Sequence, residues 1–220
     1  MKTFLFLFAC SIFIFGCGSQ PVPEWKNVSF NNLESYKTNY LNGRVKIAEL
    51  HFDKAIEEIK KSGDLEILST AYLTKYAVSV AVLEDFDDGD YLRIESVQQN
   101  PGSRTYYNFL KGFFDKVDKG LLPSRYRDVL NAFRDGKEKD MEQAVISIED
   151  PLSKLIAAGL LVRHYKYSEV ILKAAADTAS VNGWKNAHLA YLEKLQALYE
   201  AGKETGKAAN IQKKIQLIRN

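Results

Sequence analysis

Residues 65–83, LEILSTAYLTKYAVSVAVL, form a long and mostly apolar run. The second part of this run, Tyr76–Leu83, would place apolar side chains on nearly every side of a helix. That pattern is typical of a helix buried between neighbouring helices. The β-branched residues in this part also allow a strand, but no partner strand is visible elsewhere in the sequence. The run therefore predicts a buried helix in an all-α protein.

The residues before this run predict a helical hairpin. From Ser29 onward, apolar residues recur at spacings of three and four, which is the period of an amphipathic helix. Gly43 interrupts the pattern, and a second helix then leads to Ser62-Gly63, where the glycine is expected to end it. Asp64 follows and is suited to cap the amino end of the buried helix.

The middle of the chain is expected to be irregular. Glu84–Asp90 predicts an acidic loop and Gln98–Gly102 predicts a second loop, because both are rich in turn-forming residues. An aromatic-rich helix is expected over Ser103–Phe114, with Ser103 as its cap. Two further amphipathic helices are expected, at residues 126–133 and 141–148.

The C-terminal third predicts further helical hairpins. Asp150-Pro151 is the clearest helix start in the chain, because the aspartate can cap the helix and the proline suits its first position. Ser168 is expected to cap the next helix, which would end at Asn182-Gly183. Gly202 is expected to turn the chain between the last two helices.

Four residues near the first turn resemble part of a tetratricopeptide repeat. Gly43, Ala48, Phe52 and Ala55 match the turn glycine and the packing positions of the second helix of that repeat. The first helix departs from the pattern, since Asn32 stands at the tryptophan position. The resemblance implies antiparallel helical hairpins stacked as a tetratricopeptide-like right-handed α-solenoid, irregular in the middle. It also implies a concave surface that binds extended segments of other proteins.

The start of the chain has the layout of an export signal. Lys2 supplies one positive charge, and Thr3–Gly16 is an apolar stretch too short to span a membrane. Ile14-Phe15-Gly16-Cys17 resembles a bacterial lipobox. The resemblance implies cleavage before Cys17 and a diacylglycerol on its sulfur. The alternative is an ordinary secretory signal in which Cys17 is incidental.

The lipobox resemblance also implies where the protein is held. Two or more acyl chains keep a protein stably on a bilayer. Gly18, in place of the aspartate that retains enterobacterial lipoproteins at the inner membrane, implies an outer-membrane location facing the periplasm. The expected organisation is a signal peptide at 1–16, a lipidated cysteine with a flexible tether at 17–28, and a helical domain at 29–220 with a possible sub-boundary near 136–150.

The composition excludes several classes of function. The chain has 30 Lys and Arg residues against 28 Asp and Glu residues, a net charge of +2. A near-neutral, mixed balance argues against nucleic acid as a partner. Both cysteines, Cys10 and Cys17, belong to the leader or its end, so neither a disulfide nor thiolate chemistry is expected in the folded domain. No cofactor is expected.

Few residues are spaced for catalysis or metal binding. His51, His164 and His188 fall on three different predicted helices, none with a second His or Cys at ligand spacing. Residues 202–208 superficially resemble a phosphate-binding loop, but they lack its spacing and indicate a surface turn. The aspartates of Glu84–Asp90 lack the EF-hand spacing for calcium, so a solvated loop is expected. We therefore expect no enzyme activity and no metal site.

Tyrosine pairs are the remaining candidates for binding. Tyrosine gives a binding surface contact area and a hydroxyl at low entropic cost, but it is also common at half-buried helix–helix interfaces, and both interpretations stay open. The candidate binding surface consists of the pairs Tyr36/Tyr40, Tyr72/Tyr76 and Tyr106/Tyr107.

These features predict a membrane-anchored envelope lipoprotein that acts as a protein–protein interaction scaffold. Its expected partners are the lipid bilayer, through acylated Cys17, and an unidentified envelope protein. Confinement to a membrane raises the effective concentration for a partner at the same surface. The alternative is a cell-wall or small-ligand binding accessory lipoprotein of an envelope complex, with a pocket built from the aromatic helices between Tyr106 and Phe133.

Overall fold

The computed structural model describes residues 22–220, and this part of the chain is all-α, with no strand among its residues. The all-α prediction is therefore confirmed. The α-helices are α1 Glu24–Leu41, α2 Val45–Ser62, α3 Leu65–Ala81, α4 Gly89–Val97, α5 Pro101–Leu110, α6 Arg127–Asp135, α7 Glu138–Ile146, α8 Pro151–His164, α9 Glu169–Val181, α10 Lys185–Ala201 and α11 Thr205–Arg219. Two short 3-10 turns lie at Phe114–Lys116 and Ser124–Tyr126.

Helix α3 lies in the middle of the packing. It contacts α1, α2, α4, α5 and α8, and every residue of Tyr76–Ala81 is buried. A helix that is apolar on all sides needs neighbours on all sides, and these five helices supply them. The helix predicted over this run is confirmed, and the strand alternative is wrong.

The closest contact of α3 is with α8, where two backbones touch. A Cβ atom on Gly159 of α8 would lie 2.2 Å from the carbonyl oxygen of Val80 in α3. No side chain fits in that space, because real Cβ atoms do not approach a backbone oxygen so closely. Glycine at position 159 therefore sets the separation of the two helices.

We expect Gly159→Ala to lower the free energy of unfolding by about 2–3 kcal/mol, because the added methyl group must push α8 away from Val80. Urea unfolding followed by circular dichroism measures the change. Gly206→Ala is the matched control, since Gly206 is also helical and has nothing within 4 Å of its Cβ position. That variant should be unchanged or up to about 1 kcal/mol more stable. Equal effects of the two substitutions would contradict the close approach.

Consecutive helices pair at both ends of the chain. Helix α1 packs against α2, and α10 packs against both α9 and α11. Helix α3 also packs against α8, so residues 82–150 are inserted in the sequence between two helices that contact each other, and they add buried residues to the same core. Helix α1 also contacts α10, where Asn186 Nδ2 donates to the carbonyl oxygen of Tyr40 at 3.4 Å. This contact joins the first and last hairpins.

Three helix starts predicted from capping residues are confirmed. Asp64 accepts two backbone N–H groups at the start of α3, both at 3.0 Å. Asp150 accepts the Ser153 N–H at 2.8 Å, and Pro151 occupies the first position of α8. Ser168 accepts a backbone N–H at the start of α9. Each cap satisfies a donor that the helix itself leaves free.

The first helix begins earlier than expected. Helix α1 starts at Glu24 and not at Ser29, so residues 24–28 of the expected flexible tether are helical. Pro23 precedes the helix without interrupting it, and Glu24 places a negative charge in its first turn, where the helix dipole favours one. Trp25 is half-buried in this first turn.

The helix expected over Ser103–Phe114 begins and ends earlier. Its cap is Asn100 and not Ser103, because Asn100 Oδ1 accepts the Ser103 N–H at 2.8 Å and Pro101 takes the first helical position. This is the arrangement also seen at Asp150-Pro151. Helix α5 ends at Leu110, so Phe113 and Phe114 lie outside it.

Gly112 ends α5 and makes room for a histidine. Its φ of +76° lies in the left-handed region that favours glycine. The His164 ring occupies the space where a Cβ would stand, and the ring of Phe114 lies 5.8 Å away and perpendicular to it. Burial, together with the charge of Arg163, lowers the pKa of His164. The folded protein therefore favours the neutral imidazole.

Because the pKa of His164 is lower in the folded than in the unfolded chain, the unfolded chain takes up a proton first as the pH falls. We expect the free energy of unfolding to decrease from pH 7 to pH 5.5. This decrease should be smaller in His164→Gln, measured by urea unfolding at each pH. Identical slopes for wild type and His164→Gln would contradict the assignment.

The remaining differences concern the middle of the chain. Helix α3 ends at Ala81, two residues before the apolar run does, and Leu83 adopts a φ of +63°. Helix α4 begins at Gly89, so the acidic loop is shorter than predicted. The possible sub-boundary near 136–150 contains α7, which packs against α8 and α9. These residues are therefore part of the common packing.

Candidate binding groove

Four of the six candidate tyrosines are buried. Tyr36, Tyr40, Tyr76 and Tyr107 lie in the core. For these four residues, burial favours the second interpretation of the tyrosine pairs, in which the rings pack between helices. Tyr36 is fully buried, and its hydroxyl has no hydrogen-bond partner within residues 22–220.

The hydroxyls of the other three buried tyrosines have partners inside the fold. Tyr40 donates to the Glu84 carboxylate, and Tyr76 accepts the backbone N–H of Tyr91 at 3.3 Å. Tyr107 donates to Asp88 at 2.8 Å. Burial, with the Asp88 hydrogen bond, raises the pKa of Tyr107 to about 12. These hydroxyls form hydrogen bonds within the folded protein and are not available to a ligand.

The other two candidate tyrosines are half-buried and lie apart. Tyr72 packs edge-on against Phe52, with ring centroids 5.5 Å apart, beside a shallow depression that Lys75 and Asp90 also line. Tyr106 lines a larger depression of about 550 Å³. The structure therefore places one of the six, Tyr106, in the wall of a large groove.

Three adjoining depressions form what we call the central groove. The middle one, of about 550 Å³, lies between α1, α3, the start of α8 and the turn before α10. A second, of about 270 Å³, lies at the starts of α3 and α5 and shares Tyr106 and Pro123 with the first. A third, of about 440 Å³, lies between α6 and α7 and shares Arg125 and Asp150 with the first. Shared lining residues show that the middle depression adjoins each of the other two.

Aromatic residues line the middle depression. Tyr106 and Tyr126 lie with their rings nearly parallel, 6.1 Å apart, and half-buried Trp184 lines the same depression. Burial, with the neighbouring Tyr126, raises the pKa of Tyr106 well above its usual value. The Tyr106 hydroxyl therefore stays protonated and can donate a hydrogen bond at any physiological pH.

Charged residues line the middle depression as pairs. Lys37 Nζ lies 2.6 Å from Glu34 Oε1. Arg125 Nη1 lies 3.8 Å from the Asp150 carboxylate and 3.4 Å from Ser153 Oγ. The two basic side chains thus each have an acidic neighbour in the groove.

Two arginines of α6 hold the irregular segment that forms one wall. Arg127 donates from Nε to the carbonyl oxygen of Leu122 and from Nη2 to that of Gly120, both at 3.0 Å. Arg134 donates to the carbonyl oxygens of Phe114 and Val117. Charge-assisted hydrogen bonds to backbone are stronger than neutral ones. They fix a segment that has no regular structure of its own.

We expect Arg127→Met to release this wall and to lower the free energy of unfolding by about 1–3 kcal/mol, because two carbonyl groups lose a charged donor. Hydrogen exchange should show faster exchange of the Leu121 and Leu122 amides, which donate to Asp118. Arg93→Met is the control, since within residues 22–220 the exposed Arg93 forms an ion pair with Asp90, one turn away, and no other. This substitution should change stability by less than about 0.5 kcal/mol. Unchanged exchange in Arg127→Met would contradict this role.

The histidines do not meet in one place. His51 Nδ1 lies 2.8 Å from Asn32 Oδ1, and His188 Nδ1 lies 2.7 Å from the carbonyl oxygen of Ala176. His164 packs on Gly112. Within residues 22–220, no three His, Cys, Asp or Glu side chains are placed to hold a metal ion together.

The acidic loop and the glycine-containing turn have structural roles. Asp88 accepts from the Tyr107 hydroxyl and lies 3.0 Å from Lys111 Nζ, while Asp85 lies 3.9 Å from Arg163. The hydrogen bond from Tyr107 and the pairing with Lys111 lower the pKa of Asp88, against the opposing effect of its burial. Residues 202–204 form the turn between α10 and α11, as expected of a surface turn.

Cys17 and the rest of the lipobox lie outside the described residues. From residue 22 onward, no helix combines the length and apolar character needed to cross a bilayer. Comparison with protein-family models, with curated proteins and with solved structures finds no match for this chain.

Proposed function

We propose that this protein is an envelope lipoprotein whose central groove binds an extended segment of another envelope protein. The observation that carries the proposal is that three depressions adjoin one another, because the middle one shares lining residues with each of the other two. A row of depressions suits an extended chain, because successive side chains of the ligand can enter successive depressions. The role is one of binding and not of catalysis.

The proposed anchor is Cys17, acylated at its sulfur and, with Gly18 after it, held at the outer membrane on the periplasmic side. Because α1 begins at Glu24, only the six residues 18–23 separate the cysteine from the first helix. Six residues reach at most about 20 Å. The anchor would therefore hold the groove close to the membrane and favour partners at the same surface.

The proposed architecture is a tetratricopeptide-like right-handed stack of hairpins with an interrupted middle. Under this proposal, α1 and α2 form one hairpin, and α9 and α10 form another. Helices α3 and α8 lie between these hairpins and run parallel, because Val80 contacts Gly159 and Asp85 lies 3.9 Å from Arg163, and residues 82–150 are inserted between them in the sequence. The insertion supplies the groove wall at Pro123–Tyr126.

Photo-crosslinking in the native cell tests the proposed function. A photoreactive amino acid placed at Thr38 or Ser124, which are exposed and line the groove, should crosslink one defined envelope protein. The same amino acid at Lys54 or Asp177, which are exposed outside the groove, is the matched control and should not. The Cys17→Ala variant should lose most of the crosslink, because it loses membrane confinement. Mass spectrometry identifies the product.

A second candidate function is binding of a cell-wall fragment or another small ligand. The size of the middle depression, about 550 Å³, favours it, because small-molecule sites have volumes of this order. Groove positions that crosslink wall fragments and no protein would establish this function in place of the first. Equal crosslinking from groove and control positions would exclude both.

A further inference from the structure

We infer that the segment bound in the central groove is cationic, with Lys or Arg side chains at both ends and an apolar or aromatic middle. This inference rests on the proposed function and names the chemistry of its partner. It is carried by the distribution of charge along the groove, which differs from that of the whole chain.

The two ends of the groove carry acidic side chains. Glu66 lines the second depression, and Asp128 and Glu149 line the third. All three are exposed to solvent. Within residues 22–220, none of them has a basic side chain at ion-pair distance. Their charges are therefore free to act on a ligand.

The basic side chains of the groove do not offset these charges. Lys37 is paired with Glu34, and Arg125 lies beside Asp150. Because each of these basic side chains has an acidic neighbour, the negative charges of Glu66, Asp128 and Glu149 give the groove a net negative charge. The whole chain, in contrast, has a net charge of +2. A ligand that complements this groove has positive ends, and complementary potentials also speed its association.

The middle of the groove suits apolar side chains. Half-buried Tyr106 and Trp184 line it together with exposed Pro123, and buried Tyr126 packs behind Tyr106. Aromatic side chains of this kind supply most of the contact energy in peptide-binding surfaces. The acidic ends would then set orientation and selectivity, while the aromatic middle would supply affinity.

An array of synthetic random dodecapeptides tests the inference, with the full chain in detergent micelles as the probe. We expect the bound peptides to be enriched in Lys and Arg near both ends. The best peptide is then made with each Lys and Arg replaced by Glu, and its affinity by fluorescence anisotropy should fall at least tenfold. Thr38→Trp, which fills the middle depression, should weaken the original peptide and so locate it in the groove.

Variants that neutralise the acidic side chains measure how much the two ends of the groove contribute to affinity. The triple variant Glu66→Gln, Asp128→Asn, Glu149→Gln should weaken the basic peptide by about tenfold, since exposed charge pairs each contribute a fraction of a kcal/mol. The matched control Asp177→Asn, Glu200→Gln removes exposed acids outside the groove and should leave affinity unchanged. All of these side chains are exposed, so folding should be preserved in both variants.

Three outcomes would overturn the inference. Neutral or acidic peptides that bind in a Thr38-dependent manner would overturn the cationic partner and leave the proposed function intact. A full chain that binds no peptide in a Thr38-dependent manner would overturn both. Dimerisation of the free chain that the triple acidic variant abolishes would assign the groove to a second copy of the protein and overturn the cationic partner segment.

Discussion

The contact between Val80 and Gly159 is the constraint on which the rest of the structure depends. It holds α3 against α8 at a separation that only glycine permits. The first hairpin packs on one side of α3, and α4 and α5 pack on others. Helix α8 in turn contacts α7 and α9. Most helices of the fold therefore contact α3, α8 or a helix packed directly against them.

The same pairing explains why the groove exists. Because α3 and α8 run parallel, the chain leaves α3 beside the C-terminal end of α8, where Asp85 lies 3.9 Å from Arg163, and it must reach the opposite end of α8 to begin that helix at Pro151. The segment that precedes α6 is irregular, and hydrogen bonds from the side chains of Arg127 and Arg134 to its carbonyl oxygens hold it in position. A wall of this kind is set by a few side chains and is easier to alter in evolution than a helix in the core.

Local signals in the sequence predicted most of the helices, because capping and periodicity act within a few residues. Asp64 and Asp150 marked helix starts correctly, while Asn100 was missed because Ser103 three residues later offered a competing cap. For Tyr36 and Tyr40 the sequence left a binding surface and a helix–helix interface open, since helical spacing shows that a face is apolar but not what covers it. Periodicity could not reveal that α3 pairs with α8. Gly159 was a possible signal, as a glycine within an apolar helix often marks a close approach.

The contact between α1 and α10 joins the first helix of the domain to its last hairpin. Asn186 reaches the carbonyl oxygen of Tyr40 across 146 residues of sequence. A chain shortened before α10 would leave the apolar side of α1 and the surface of α9 uncovered together. The helices are therefore expected to form as one cooperative unit, after nearly the whole chain is present. The packing of such a chain is completed only when α10 covers the first hairpin, late in synthesis.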